Sequence, residues 1–367
     1  MAPPKNFRTR PFAHQQCLGH LWICLIVAFF PTPARSRGFL LTRSDTQNKI
    51  FYSLLPSFDE SITHSQLDST QLDQDPGSEP LPLVADLDRP RSMALWSDTV
   101  NHWLYVWDAT TQDLYKYELL ANGDELTAAR GLQPVAQGLD VGGIAVDNAQ
   151  NVYYSNENGG SITKLPYTDR KKPEQLYSNN FNVNAPRVLT TDALYVYWGN
   201  HATGKASGSA VKAPAKVLSL TQTSYPRQLS KNVVVTNGVC VTPDFVFYTG
   251  GTDVFAVPKD ALNPNDQWRL INNGFMNAAG CAADPARGAI YVADEQRGAV
   301  FELAVNFAQL REIRAQTKIT TVDGAKQLAV LRSGAFSNLR SSGVVLQTSF
   351  LICASGLSVV WILFATT

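Results

Sequence analysis

A short aromatic phrase recurs through the middle of the chain at a steady interval, and it constrains the fold more than any single residue does. The copies are Ile50-Phe-Tyr-Ser53, Leu104-Tyr-Val-Trp-Asp108, Val152-Tyr-Tyr-Ser-Asn156, Val196-Tyr-Trp-Gly-Asn200, Val246-Phe-Tyr-Thr-Gly250 and Ile290-Tyr-Val-Ala-Asp294. Their anchors, Phe51, Tyr105, Tyr153, Tyr197, Phe247 and Tyr291, are spaced by 54, 48, 44, 50 and 44 residues, the interval of arrays built from four-stranded units. Six copies predict six units.

Each copy sits in a larger repeating order. In the clearest unit, Gly143-Ile-Ala-Val-Asp147 reads as a short apolar strand, 148–151 as a polar turn and 152–155 as an aromatic second strand. Gly159-Gly160 then turns the chain into a third strand at 161–165, and Gln175-Leu-Tyr177 supplies an outer fourth. Short runs rich in Val, Tyr, Phe and Thr, separated by Gly, Asn, Asp and Pro, are strand and turn chemistry. One such meander cannot bury both faces, so several pack radially. The prediction is all-β: a six-bladed β-propeller over residues 38–323. A β-sandwich could use similar strands but would not repeat a unit at this interval.

The 367 residues carry 31 basic and 31 acidic side chains, so no basic excess exists to neutralise phosphates and nucleic acid is not an expected partner. Residues 1–36 read as a signal peptide. Lys5, Arg8 and Arg10 precede an apolar stretch at 18–30, and Ala34-Arg35-Ser36 places small residues where a signal peptidase cuts. The apolar stretch is short for a membrane span.

The opposite end carries a mostly apolar run at 344–365, two residues before the C-terminus. With Ser333 as attachment residue, Gly334 and Ala335 fill the next two positions and 336–343 form a polar spacer, the pattern of a glycosylphosphatidylinositol signal. Ser337 and Ser341 are further attachment candidates. A retained transmembrane helix is the alternative, but only Thr366 and Thr367 follow it where cytoplasmic Lys or Arg would be expected. The expected domain plan is therefore signal peptide 1–36, propeller 38–323 with an acidic loop insertion at 56–80, stalk 324–343, and hydrophobic tail 344–367. The expected location is the cell surface, reached through the secretory pathway, with the membrane engaged by the tail.

Only Cys240 and Cys281 lie between the leader and the tail. They sit on first strands of adjacent units, in Gly238-Val-Cys-Val and Gly280-Cys-Ala-Ala, offset by one residue. In an oxidising compartment they are disulfide candidates, with two buried thiols as the alternative. No asparagine stands in an Asn-X-Ser/Thr sequon. The 56–80 insertion is acidic and nearly free of aromatics, as a solvated loop would be. After Leu303 the repeat fades, and 314–322 can supply one last outer strand.

The copies Val152-Tyr-Tyr-Ser-Asn156 and Asp192-Ala-Leu-Tyr-Val-Tyr-Trp-Gly-Asn200 resemble the YWTD-type repeats of low-density-lipoprotein-receptor-like propellers. That resemblance implies that Asp98, Asp147, Asp192 and Asp284 tie the blades structurally. Thr242 stands where the acid is missing.

A second resemblance is to the gluconolactonase and senescence-marker-like hydrolases, carried by 92–108, Leu114-Tyr-Lys-Tyr117 and Thr236-Asn-Gly-Val. It implies a divalent cation held by Glu, Asn and Asp. Asn237 matches the Asn, but Ser92 and Ala279 stand where the two acids belong. None of the histidines, His14, His20, His64, His102 and His201, has metal-ligand spacing to another, and no nucleophile elbow or phosphate loop occurs.

The expected function is a membrane-tethered, non-catalytic binding module for an extracellular protein or glycan, without a cofactor. The alternative is a divalent-cation-dependent, lactonase-like hydrolase. Radial packing commits the sheet faces to the core, so a partner must use the loops at the ends of the channel or the acidic insertion, and one end is the expected binding surface. The turns after the second strands place Asp108, Asn156, Glu157, Asn158, Asn200, His201, Asp294 and Glu295 there. For the tail, the expected outcome is release from intact cells by phosphatidylinositol-specific phospholipase. Retention under a treatment that frees a control lipid-anchored protein would establish a retained span.

Overall fold

The computed structural model describes residues 38–55, 79–131, 133–178, 180–202, 208–216, 226–265 and 267–332. The leader, residues 56–78 of the acidic insertion, the attachment candidate Ser333 and the hydrophobic tail lie outside these. The described chain begins with β1 (Gly38–Ser44), β2 (Lys49–Leu55) and β3 (Leu81–Val84). Two meanders follow: β4 (Pro90–Ser97), β5 (His102–Asp108), β6 (Asp113–Asn122) and β7 (Glu125–Arg130), then β8 (Gly143–Val146), β9 (Val152–Asn156), β10 (Ser161–Leu165) and β11 (Glu174–Ser178). The fourth blade is β12 (Pro186–Thr191), β13 (Tyr195–Asn200), β14 (Gly208–Pro214) and β15 (Arg227–Val233). The fifth is β16 (Gly238–Val241), β17 (Phe245–Gly250), β18 (Asp253–Pro258) and β19 (Arg269–Asn272). The sixth is β20 (Ala278–Asp284), β21 (Ala289–Asp294), β22 (Ala299–Ala304) and β23 (Thr317–Thr321), and β24 (Ala325–Arg332) ends the described chain.

These strands form six four-stranded antiparallel sheets. The innermost strands touch in ring order, β24 to β4, β8, β12, β16, β20 and back to β24. The fold is the predicted six-bladed propeller.

Two expectations are corrected at the seam. The first sheet runs β24-β1-β2-β3, so the Ile50 copy lies on a third strand, while the second-strand position belongs to β1. There Leu41 takes the place of the aromatic anchor, and the sequence match moved to the next strand, where Phe51 and Tyr52 look alike. The stalk 324–343 is also corrected. Residues 325–332 are β24, paired with β1 from Gly38↔Arg332 to Ser44↔Ala325. The outer strand expected at 314–322 is present as β23.

Six apolar clusters fill the six interfaces between blades. Each anchor faces the following blade: Leu41 packs with Leu104 and Val106, Tyr105 with Ile144 and Val152, Tyr153 with Val196 and Trp198. Tyr197 packs with Val246 and Tyr248, Phe247 with Ile290 and Val292, and Tyr291 with Leu40 and Leu328. Burying one such side chain contributes on the order of 2 kcal/mol. The repeated anchor, aromatic at every interface but the one that Leu41 fills, is thus the radial core, one side chain per interface.

The glycines heading the inner strands have a different cause. A Cβ on Gly143 would stand 2.2 Å from the Arg187 carbonyl oxygen, one on Gly238 2.4 Å from that of Ala279, and one on Gly280 2.3 Å from that of Lys326. At the axis each inner strand runs against the backbone of the next. Where a side chain stands there instead, it bonds across: Ser92 Oγ accepts from Ile144 N at 2.9 Å, and Gln327 spans to the Met93 N–H and carbonyl at 2.8 and 2.9 Å.

Cys240 and Cys281 are disulfide-bonded with Cα atoms 5.7 Å apart, inside the reach such a bond requires. The one-residue offset is what permits it. Equivalent residues on successive blades point the same way around the ring, so two side chains that meet across an interface must lie on opposite faces of their own sheets. Cys240 faces forward with Phe247, and Cys281 faces back with Ile290 and Val292. Closing a loop with a sequence separation of 41 residues contributes about 3–4 kcal/mol in the chain-entropy account.

Ending the chain at Gly324 removes β24 and leaves β1 as an unpaired inner edge. Loss of the cooperative thermal transition is the expected result, read by circular dichroism against a chain ending at Arg332. An unchanged transition in the shorter chain would show that β24 does not close the ring.

Candidate functional site at the channel mouth

The antiparallel order brings the start of each inner strand beside the end of the second strand, at one end of the channel. A cavity of about 80 Å³ opens there, lined by Arg43, Arg91, Arg187 and Lys326 and by no carboxylate. The cations come from repeat-equivalent places. Ser92, Gly143, Val188, Gly238 and Gln327 pair with corresponding second-strand residues, and the residue before each is Arg91, Gly142, Arg187, Asn237 and Lys326. Arg43, on β1, is the partner of Gln327.

Three carboxylates stand behind the cations. Asp45 takes Arg43 and Arg91, the latter at 3.5 Å, and Lys326 at 3.1 Å. Glu295 holds Lys326 at 2.7 Å. Glu157 lies 3.8 Å from Arg187 and 3.0 Å from His201 Nδ1. Burial pushes the Asp45 carboxyl up, but Arg43 and Lys326 outweigh it and hold it below its ordinary value. Burial likewise pushes the Arg43 guanidinium down, and the neighbouring Arg91 and Arg187 add to that.

His201 is the titratable group of this mouth nearest neutrality. Glu157 at Nδ1 assigns the proton to that nitrogen, which leaves Nε2 to accept from Arg187 Nη1 at 3.0 Å. Burial, and then the Arg187 charge, hold its pKa below the ordinary histidine value, with Glu157 opposing in part.

The residues expected at this end divide into two groups. Asp108, Asn200 and Asp294 are buried and serve the loops. Asp108 accepts from Arg89 N and Thr110 N, Asn200 from Asn184 N, and Asp294 from Met276 N and Asn277 N. Asn156 accepts from Gly159 N in its own turn, and Asn158 reaches Asp140 at 3.5 Å. Glu157, His201 and Glu295 join the cationic mouth.

Of the expected blade ties, Asp192 and Asp284 do cross to a neighbour, through Lys259 at 2.6 Å and through Arg332. Asp98 and Asp147 instead brace their own hairpins, at Val100 N and Asn151 N, as Thr242 does at Phe245 N.

The divalent-cation reading finds no donor set. Ser92 Oγ is engaged by Ile144 N, Asn237 Nδ2 donates to the Ala278 carbonyl at 3.2 Å, and Ala279 carries no oxygen on its side chain. No group of three His, Cys, Asp or Glu among the described residues could hold a metal, and four cations line the cavity where a cation would sit.

A larger cavity of about 620 Å³ lies at the outer strands of blades four and five. Its cations Lys212 and Arg227 are engaged with the Lys259 carbonyl at 3.0 and 3.2 Å. The four cations of the channel mouth were missed in the sequence. Arg91, Arg187 and Lys326 could have been found by asking which residue precedes the position equivalent to Gly143 in each unit, but Arg43 became visible only once β1 was known to be a second strand.

No protein-family model matches the chain, and no curated protein sequence does. Solved structures do. A provisionally named 6-phosphogluconolactonase from Bacteroides uniformis superposes with a TM-score of 0.51 at 11% identity, covering 81% of this chain and 100% of its own. One of the same provisional name from Bacteroides fragilis gives 0.48 at 14% identity, over 82% of this chain and 99% of its own. Regucalcin from Agrobacterium tumefaciens, named as a calcium-binding protein, gives 0.44 at 14%, over 65% and 78%.

What the Bacteroides uniformis likeness shows is the propeller fold. None of the three bears a YWTD-type name. The expectation of a non-catalytic recognition module is corrected here: the Bacteroides uniformis propeller bears a lactonase name, and most of the rim residues assigned to recognition hold turns together.

A pH dependence follows from His201. Its folded pKa is depressed, so the unfolded chain binds the proton more readily, and stability is lost as pH falls through the ordinary histidine value of about 6.5. His102, also pushed down by burial, acts in the same direction. His201→Gln is therefore expected to flatten, without abolishing, the decline in melting temperature between about pH 7.5 and 5.5. An unchanged decline would place His201 outside this linkage.

Proposed function

We propose that the chain is a hydrolase that opens a small anionic lactone or ester at the cationic mouth of its central channel. The observation that carries this reading is the Glu157–His201 pair, joined through Arg187 to a cavity lined by four cations and no carboxylate. The provisional lactonase name of the similar Bacteroides uniformis propeller fits it, since a phosphorylated lactone is an anionic cyclic ester.

The chemistry follows from the tautomer. Nε2 of neutral His201 removes a proton from water as the oxygen adds to the lactone carbonyl carbon. Glu157, accepting from Nδ1, stabilises the imidazolium that forms. Arg187, now bonded to Nε2, turns to the carbonyl oxygen as negative charge develops there. Collapse breaks the ring C–O bond, and the imidazolium returns its proton to the departing alkoxide. The product is the hydroxy acid, and no redox partner is required. No step is assigned to a divalent cation, because the donor set does not fit one.

The leader, the tail and the disulfide support a location outside the cytosol and on a membrane, which is part of the same proposal.

The test is turnover by the full chain of a panel of phosphorylated, carboxylated and neutral lactones, with and without chelator. His201→Gln is expected to lower kcat by about 10²–10⁴-fold, with turnover insensitive to chelator. No turnover of any anionic lactone, or full activity in the variant, would overturn the reading.

A further inference from the structure

The cavity behind the mouth is small. At about 80 Å³ it holds a few waters or one compact oxyanion, whereas the body of a sugar-sized ligand would remain in the open mouth. Around it the four lining cations exceed the three carboxylates Asp45, Glu157 and Glu295 that touch them. Three of the four, Arg43, Arg91 and Lys326, converge on the single carboxylate of Asp45.

Arg43 is the decisive group. It is 4% exposed, it lines the cavity, and its Nε has no hydrogen-bond partner among the described residues. Its Nη1 is engaged by Asp45 and, at 3.3 Å, by the Pro90 carbonyl. A guanidinium taken out of water and left with an unpaired N–H is costly unless a ligand completes it. A planar fork suits a tetrahedral oxyanion, and a phosphate monoester brings −1.5 to −2 charges.

We propose that Arg43, Arg91 and Lys326 form a phosphate-monoester subsite in which Asp45 is the resident competing anion. This rests on the channel mouth being the ligand site. It adds that the ligand is a small molecule carrying a phosphate dianion, read by residues on the opposite side of the mouth cluster from Glu157 and His201. The three cations are drawn to Asp45 when no phosphate is bound and shift to the phosphate oxygens when it enters, as Asp45 releases part of its hold.

The competition predicts opposite signs. Binding of inorganic phosphate to the full chain, measured by calorimetry with chloride and acetate as monoanion controls, is expected to weaken about tenfold or more in Arg91→Met and in Lys326→Met. Asp45→Asn is expected to bind phosphate several-fold more tightly, the reverse of what a residue serving only to hold the cluster together would do. Arg43→Met is buried and tests the same point only if its melting curve stays cooperative. Arg91 and Lys326, partly exposed, supply the decision otherwise.

No phosphate binding, binding matched by acetate, or weaker binding in Asp45→Asn would overturn the subsite. Failure of the hydrolase reading is a separate outcome. Phosphate binding with the expected signs and no lactone turnover would retain the subsite and remove the catalysis, whereas turnover of carboxylated lactones without phosphate binding would do the reverse.

Discussion

The pairing of β24 with β1 is the interaction on which the rest depends. Seven residue pairs join the last described strand to the first, so the ring closes by hydrogen bonds between the two ends of the described chain. Radial packing has no free edge only if the last blade meets the first. Closure also assembles the mouth: Lys326 arrives on β24 next to Arg43 and Asp45 on the other end of the chain. The seam that holds the ring therefore holds half of the candidate site, and the acidic hub Asp45 belongs to both.

Blade-to-blade packing follows a parity rule that explains features otherwise unrelated. A residue facing forward on one strand meets residues facing back on the next blade, and these occupy positions of the other parity. The anchors Tyr105, Tyr153, Tyr197, Phe247 and Tyr291 all face forward, and their partners such as Ile144 and Val152 face back. The Cys240–Cys281 bond obeys the same rule, which is why an odd offset joins them. At the axis the spacing is tight, and Gly143, Gly238 and Gly280 stand where a Cβ would strike the next strand's backbone, while Ser92 and Gln327 bridge to it by hydrogen bonds.

The electrostatics of the mouth are those of a cluster built to be incompletely neutral. Taking a guanidinium out of water costs several kcal/mol before its partners are counted, and here burial already lowers the Arg43 pKa. Placing Asp45 among three cations and Glu157 between Arg187 and His201 offsets much of that cost locally. The arrangement is coherent for an anionic ligand and unfavourable for a metal ion, whatever other propellers hold at their axes.

The sequence by itself determined the architecture. The period near 48 residues, the aromatic anchors and the glycines on three of the inner strands are local signals, because every blade solves the same packing problem with similar residues. It located the Asp and Asn after the second strands but assigned them to recognition; only the structure shows that they accept from loop N–H groups. Only the tertiary structure decided where the ring closes, because β24 has no repeat neighbour in the chain and its partner lies about 290 residues away in sequence. It alone decided that Cys240 and Cys281 face each other, and that Glu157, His201, Arg187, Arg43 and Lys326 share one mouth. Those residues come from three different blades, and no spacing along the chain encodes a meeting that exists only after six sheets have been folded around an axis.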